Sequence, residues 1–280
     1  MSPGWTGPMA DHATTSRATP PSPAVAGALP RLVAFDLDDT LAPSKAPLPA
    51  VTAGLLCQVL RSADVAVISG GAFTQFRTQV VDQLVDADDA ELERVHLLPT
   101  CGTQYYRYRE RRWEQVYAEG LDPEQRRTVL EVLEREARKL GLWPLDPWGP
   151  VVEDRGSQVT FSALGQHAPV EAKSVWDRDG AKKEALRAAV APLLPDLEVR
   201  SGGSTSVDVT RRGIDKAYGI RRLLAFTGLR PQDVVFVGDR LDRGGNDWPV
   251  LSTGVTCLPV TGWADTVALL EHWVDAARTA

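Results

Sequence analysis

The chain has 280 residues, of which 43% are hydrophobic, and a formal net charge of −6. A chain of this length can bury a substantial core, as one large domain or two modest ones. The acidic balance argues against a nucleic-acid-binding surface, and no apolar run approaches the roughly 20 residues that a membrane-spanning helix needs.

The N-terminal segment, residues 1–29, is rich in Pro, Ala, Thr and Ser and has no apolar signal-peptide run. This composition predicts a disordered tail. The three cysteines, Cys57, Cys101 and Cys257, are odd in number and widely separated. Such usage fits reduced thiols better than a disulfide framework or a zinc site, so we expect a cytoplasmic protein.

Towards both ends of the chain, short β-branched runs alternate with helical patterns. Strands are predicted at 32–35, 65–68, 95–98, 234–237 and 255–258, and helices at 51–61, 74–85, 215–226 and 264–277. This alternation is typical of parallel strands joined by crossover helices, and it predicts a Rossmann-like, doubly wound α/β sheet. Ligands of such sheets bind at the carboxyl ends of the strands.

The middle of the chain has a different pattern. Residues 104–108 and 113–117 flank a polar turn and predict a hairpin, and helices are predicted at 122–140 and from Asp179 to Pro192. Alternating apolar and polar residues at 151–152, 158–162, 197–199 and 205–209 predict an antiparallel sheet with one wet face. We therefore expect residues 30–104 and 211–280 to form the α/β core. Residues 105–210 are expected to form an inserted α+β domain of one antiparallel sheet and two helices.

Two aspartates, Asp36 and Asp38, follow the first predicted strand, and Asp239 follows the strand at 234–237. Carboxylates crowded at strand ends need a compensating cation, and an oxygen-only cluster favours Mg²⁺. Ser69 and Gly70 follow the second strand, where a hydroxyl and backbone amides suit a phosphate oxygen. Each feature alone has an ordinary structural explanation, such as a turn or a helix cap. Their order is informative, because each stands at a strand end.

A basic residue, Lys216, stands at the start of a predicted helix and completes this set. The pattern resembles the haloacid dehalogenase-like superfamily of aspartate-nucleophile phosphotransferases over about residues 31–260. The resemblance implies that Asp36 is the nucleophile and Asp38 the general acid and base. It further implies that Ser69, Gly70 and Lys216 bind phosphate, and that Asp36, Asp38 and Asp239 hold Mg²⁺. The long interval between Ser69 and Lys216 resembles that of type II caps, and the predicted sheet with two helices resembles subclass IIB.

Within that subclass the chain is most similar to eukaryotic-type phosphomannomutases, through residues 202–209 and the Gly-Gly-Asn-Asp ending of residues 238–247. The resemblance implies that four cap residues contact the substrate: Arg155, Lys173, Ser206 and Asp208. It also implies that Asn246 and Asp247 orient the waters of the metal or Lys216.

Three positions depart from the phosphomannomutase pattern. Gln166 stands where those enzymes have an arginine, and Lys45 and Lys173 stand at two further arginine positions. A mutase must hold a second phosphate, for which bidentate arginines are suited. We therefore expect a Mg²⁺-dependent phosphatase that acts on a phosphorylated sugar or similar small metabolite through an aspartyl-phosphate.

Two other functions stay open. A phosphohexomutase is the first alternative, and a non-catalytic phosphosugar-binding protein is the second. The expected partner is a phosphorylated small molecule, with no nucleic acid and no membrane, and a homodimer is left open.

Overall fold

Two β-sheets organise the protein. The computed structural model describes residues 28–279. Residues 1–27, which make up most of the predicted disordered tail, lie outside the described residues. The strands are β1 (Leu32–Phe35), β2 (Asp64–Ile68), β3 (Val95–Leu98), β4 (Gln104–Arg109), β5 (Arg112–Ala118), β6 (Val152–Asp154), β7 (Gln158–Ser162), β8 (Leu197–Ser201), β9 (Ser206–Arg211), β10 (Val234–Gly238) and β11 (Thr256–Pro259). The helices are α1 (Ala50–Leu60), α2 (Phe73–Gln79), α3 (Asp89–Leu92), α4 (Pro123–Lys139), α5 (Val170–Trp176), α6 (Ala181–Val190), α7 (Lys216–Thr227) and α8 (Trp263–Thr279).

The larger sheet has seven strands in the order β11-β10-β1-β2-β3-β4-β5. Five of these strands run parallel, as the alternation of strands and helices predicts: β11, β10, β1, β2 and β3. Alternate residues of β1 pack on opposite faces: Val33 and Phe35 face α1 and α8, whereas Leu32 and Ala34 face α7. The chain order reverses between β1 and β10, and this switch point is where an open α/β sheet forms its binding crevice.

The predicted hairpin forms, but not in the inserted domain. Strands β4 and β5 pair with each other, and β4 pairs antiparallel with β3, so the hairpin extends the larger sheet. Its Tyr105 is buried in the same apolar cluster as Leu98 of β3 and Ile220 of α7. Burial of this tyrosine against α7 favours the observed position, and the hairpin therefore belongs to the larger sheet.

The smaller sheet is antiparallel, in the order β6-β7-β9-β8. Its apolar face, which includes Val159 and Val209, packs against α4 and α6 in a separate core. As the Asp-Pro signal predicts, Asp122 caps α4 by accepting hydrogen bonds from the amides of Glu124 and Gln125. The short helix α5, which buries none of its residues, is an addition to the two predicted helices.

Within residues 28–279, none of the helices is long and apolar enough to cross a bilayer.

Candidate active site

Three aspartates meet at the switch point of the larger sheet. Asp36 directly follows β1, Asp239 directly follows β10, and Asp247 lies in the loop after β10. One carboxylate oxygen from each of the three lies within 4.8 Å of the others. Asp36 and Asp247 are buried. The structure therefore brings together acids that stand about two hundred positions apart in the sequence.

A single lysine contacts two of these acids. Lys216 is the first residue of α7, and its side chain is 1% exposed. Its Nζ lies 2.6 Å from Asp36 Oδ1 and 2.5 Å from Asp247 Oδ1. Burial alone would lower the pKa of Lys216, but the carboxylates of Asp247 and Asp36 outweigh burial and raise it. The ammonium group therefore stays charged and fixes both carboxylates.

The cluster has an excess of negative charge. Three carboxylates surround one ammonium group, and burial raises the pKa of Asp36 well above its usual value although Lys216 opposes the shift. The pKa of Asp239 is raised as well, first by burial and then by Asp247. A divalent cation would compensate this excess, and carboxylate oxygens are the ligands that Mg²⁺ prefers. The residues therefore fit a magnesium site.

Asp38 stands two residues after Asp36 and has its own hydrogen bonds. Its Oδ1 accepts from the backbone amide of Lys45 at 2.6 Å, and its two oxygens accept from Gln79 Nε2 at 3.5 Å and Gln75 Nε2 at 3.4 Å. The carboxylate cluster contains Asp247 and not the Asp38 side chain, whereas the resemblance implies for Asp247 a role in orienting Lys216 or the waters of the metal. Asp247 also contacts Lys216 through its Oδ1.

The sequence did not identify three supporting side chains, of which Thr40 is one. Its Oγ1 donates to Asp239 Oδ1 at 3.2 Å and accepts from the Asp239 amide at 3.0 Å, which ties the first loop to the last. The other two are Gln75 and Gln79, which lie four positions apart and therefore on one face of α2. That spacing, directly after a candidate phosphate loop, is a signal that could have identified them.

The Ser-Gly-Gly loop, residues 69–71, follows β2 at the same edge. Ser69 is buried, and its Oγ accepts a hydrogen bond from the Gly71 amide at 3.3 Å. The amides of Cys101 and Thr100 donate to the carbonyls of Ser69 (2.9 Å) and Gly71 (3.0 Å). Thr100 and Cys101 have φ angles of 48° and 55°, which are rare for residues other than glycine and are typical of functional sites.

Most of the predicted cap residues lie at this edge. The side chain of Arg155 is 9% exposed, and its Nη1 donates to the Gly70 carbonyl at 2.6 Å. Asp208 accepts from Thr160 Oγ1 at 2.7 Å, and burial raises its pKa although Arg155 and Lys45 partly oppose the shift. Ser206 lies two residues before Asp208 on β9 and is half-buried. Asn246, in contrast, is exposed.

Two lysines, Lys173 and Lys45, lie close together beside Asp38. The pKa of Lys173 on α5 is lowered, first by burial and then by the neighbouring ammonium group of Lys45, while Asp38 opposes the shift. Lys173 Nζ also donates to the Gln166 carbonyl at 3.1 Å. Two adjacent cations close to Asp38 favour an anionic ligand there.

Comparisons with known proteins agree with this architecture. A family model described as eukaryotic phosphomannomutase matches residues 53–275. A phosphomannomutase of Encephalitozoon cuniculi is 25% identical over 223 residues, which are 77% of this chain and 82% of that protein.

Solved structures with low sequence identity share the fold. An N-terminally truncated, IMP-bound IMP-nucleotidase of Plasmodium falciparum has a TM-score of 0.62 at 14% identity, over 87% of this chain and 68% of that one. A haloacid dehalogenase-like hydrolase from Bacteroides thetaiotaomicron has a TM-score of 0.60 at 17% identity, over 86% and 98%. The predicted resemblance and the fold class are confirmed.

Proposed function

The chain belongs to the eukaryotic phosphomannomutase family, within the haloacid dehalogenase-like superfamily, and on this premise we propose that it is a Mg²⁺-dependent phosphatase. The proposed substrate is a phosphorylated sugar or a similar small metabolite. The observation that supports catalysis best is the buried contact of Lys216 with Asp36 and Asp247. A protein that only binds phosphosugars has no need of this costly buried carboxylate cluster, so the non-catalytic alternative is disfavoured.

In the proposed mechanism, Asp36 attacks phosphorus in line and forms an aspartyl-phosphate as the sugar oxygen departs. Asp38 donates the proton that this oxygen needs, and then takes one from the water that hydrolyses the intermediate. Lys216 orients the Asp36 carboxylate, and the Ser69 hydroxyl donates to a phosphoryl oxygen. Asp36, Asp239 and Asp247, with the Asp38 carbonyl, would hold Mg²⁺, which when bound neutralises charge on the phosphoryl group.

We further propose that residues 119–212 are a cap domain that moves relative to the larger sheet. Asp208 of this segment lies near its own Arg155 and near Lys45 of the loop after β1. Arg155 in turn donates a hydrogen bond to the Gly70 carbonyl, which belongs to the other domain. A site between two such bodies can exclude water when they close and release product when they open.

The choice of hydrolysis over mutase chemistry depends on the cation set. A mutase must retain a bisphosphate while it turns over, and an arginine grips phosphate with two parallel hydrogen bonds. Here Lys45 and Lys173 supply point charges, and Gln166 supplies no charge. The alternative, a phosphohexomutase, is favoured by the family match and by the closeness of the two lysines, which suits a second anionic group.

Phosphate release from a panel of hexose phosphates tests this proposal. We expect release that depends on Mg²⁺, stops with EDTA and needs no activator. Asp36→Asn should abolish release, whereas Asp39→Asn, at the exposed neighbouring carboxylate, should retain it. Isomerisation of the hexose phosphate that requires glucose 1,6-bisphosphate and releases little phosphate would establish the mutase instead.

A further inference from the structure

The three carbonyl groups of the Ser-Gly-Gly loop each accept a hydrogen bond. Cys101 N and Thr100 N, from the turn after β3, hold the carbonyls of Ser69 and Gly71. The Gly70 carbonyl instead accepts from Arg155 Nη1, at 2.6 Å. The turn after β3 therefore fixes the first and third carbonyls. The second depends on a residue of the inserted segment.

The Gly70 carbonyl determines where the next amide points. A trans peptide is planar, and its C=O and N–H groups point in opposite directions. When Arg155 holds the Gly70 carbonyl, the Gly71 N–H is directed to the other side, where it donates to Ser69 Oγ at 3.3 Å. Since Oγ accepts this bond, the hydroxyl hydrogen of Ser69 is left to donate to another acceptor. The chain of contacts thus runs from Arg155 through one peptide group to the Ser69 hydroxyl.

Arg155 is itself held in this orientation. Its Nε and Nη2 donate to Glu153 Oε2 at 2.9 and 2.6 Å, and its own carbonyl accepts from Gln104 Nε2 at 2.7 Å. Two residues on, Ser157 Oγ donates to Thr100 Oγ1 at 3.0 Å. Several contacts therefore hold the turn between β6 and β7 against the larger-sheet domain. The guanidinium group of Arg155 bonds to Glu153 of its own segment and to the Gly70 carbonyl of the Ser-Gly-Gly loop.

We propose that Arg155 is a positioning residue for Ser69: it orients the Gly70–Gly71 peptide, so that the serine hydroxyl faces the reacting phosphate only while the inserted segment is seated. The inference rests on the proposed function, and it differs from the expectation that Arg155 grips the substrate directly. By linkage, seating of the segment strengthens phosphate binding, and bound phosphate stabilises the seated position by the same factor.

Phosphate binding by the full-length protein with Mg²⁺ tests the proposal. Calorimetry with inorganic phosphate needs no turnover, so a failure of the phosphatase hypothesis leaves this test intact. We expect Arg155→Met to weaken phosphate binding by about tenfold, the effect of one lost hydrogen bond to a charged group. KM for p-nitrophenyl phosphate and for a hexose phosphate should rise by the same factor. Arg126→Met is the control, because Arg126 of α4 pairs with Asp154, the residue before Arg155 (3.4 Å), and it should change none of these values.

Two results would overturn the proposal. If Arg155→Met weakens only the hexose phosphate and leaves inorganic phosphate and p-nitrophenyl phosphate unchanged, Arg155 contacts the sugar or a second anionic group. The second result comes from a double-mutant cycle with Ser69→Ala. In the Ser69→Ala protein, Arg155→Met should cause no further loss of phosphate binding, and additive losses contradict a path through the hydroxyl. If Arg155→Met does not fold, Arg155→Lys replaces it in both experiments, with the same criteria.

Discussion

Replacement of Lys216 by methionine removes the ammonium group from the centre of the carboxylate cluster and keeps an unbranched side chain. The lysine is 1% exposed and contacts Asp36 Oδ1 at 2.6 Å and Asp247 Oδ1 at 2.5 Å. Loss of one partner of a buried ion pair costs about 3–5 kcal/mol, because the other charge stays buried without compensation. We therefore expect the free energy of unfolding in metal-free buffer to fall by about 4 kcal/mol.

Urea denaturation with and without Mg²⁺ measures this effect. Added Mg²⁺ should restore part of the loss, since a divalent cation compensates the same carboxylates. Lys139→Met is the matched control: this lysine is 62% exposed and its Nζ lies 2.9 Å from Glu136, so its replacement should cause no measurable change. A loss for Lys216→Met that is no larger than for Lys139→Met would refute the electrostatic account of the site.

Two further predictions concern the fold beneath the site. Burial lowers the pKa of His96 from its ordinary value of 6.5, and Arg107 adds to the shift. Below about pH 6.5 the unfolded chain therefore takes up a proton at His96 that the folded protein does not take up. In urea titrations, the free energy of unfolding should decrease as the pH is lowered below about 6.5, by at most about 1.4 kcal/mol per pH unit. If the His96→Gln protein shows the same dependence on pH, His96 is not its cause. Gly219→Ala would place Cβ 2.4 Å from Ile68 Cδ1 and should cost about 1–3 kcal/mol, whereas Gly54→Ala, with no heavy atom within 4 Å, should be neutral or stabilising. Equal melting temperatures for the two alanine variants would contradict this packing.

Local sequence patterns were enough to place two of the three acids of the cluster. Asp36 and Asp239 each follow an apolar strand, and parallel strands bring their carboxyl ends to one edge. The start of α7 at Lys216 was also predictable, from the Asp215 cap before it. These signals are local in the sequence, and the fold class follows from their alternation.

Other features depend on contacts that no local pattern records. Alternation predicted the hairpin of β4 and β5 but not its sheet, because pairing with β3 depends on burial of Tyr105 against α7. The bond from Arg155 to the Gly70 carbonyl joins residues 85 positions apart and uses a backbone acceptor, which has no side-chain signature. Asp247 likewise reaches the cluster only through the path of the loop after β10.

The proposed mechanism requires that Asp36 becomes phosphorylated during turnover. The direct test is a single-turnover reaction with ³²P-labelled hexose phosphate, quenched in acid and reduced with borohydride, which converts an aspartyl-phosphate to homoserine. Trypsin should release residues 32–45, bounded by Arg31 and Lys45, with homoserine at position 36. An unmodified Asp36, or a modification at Asp38 or Asp39 in the same peptide, would contradict the account.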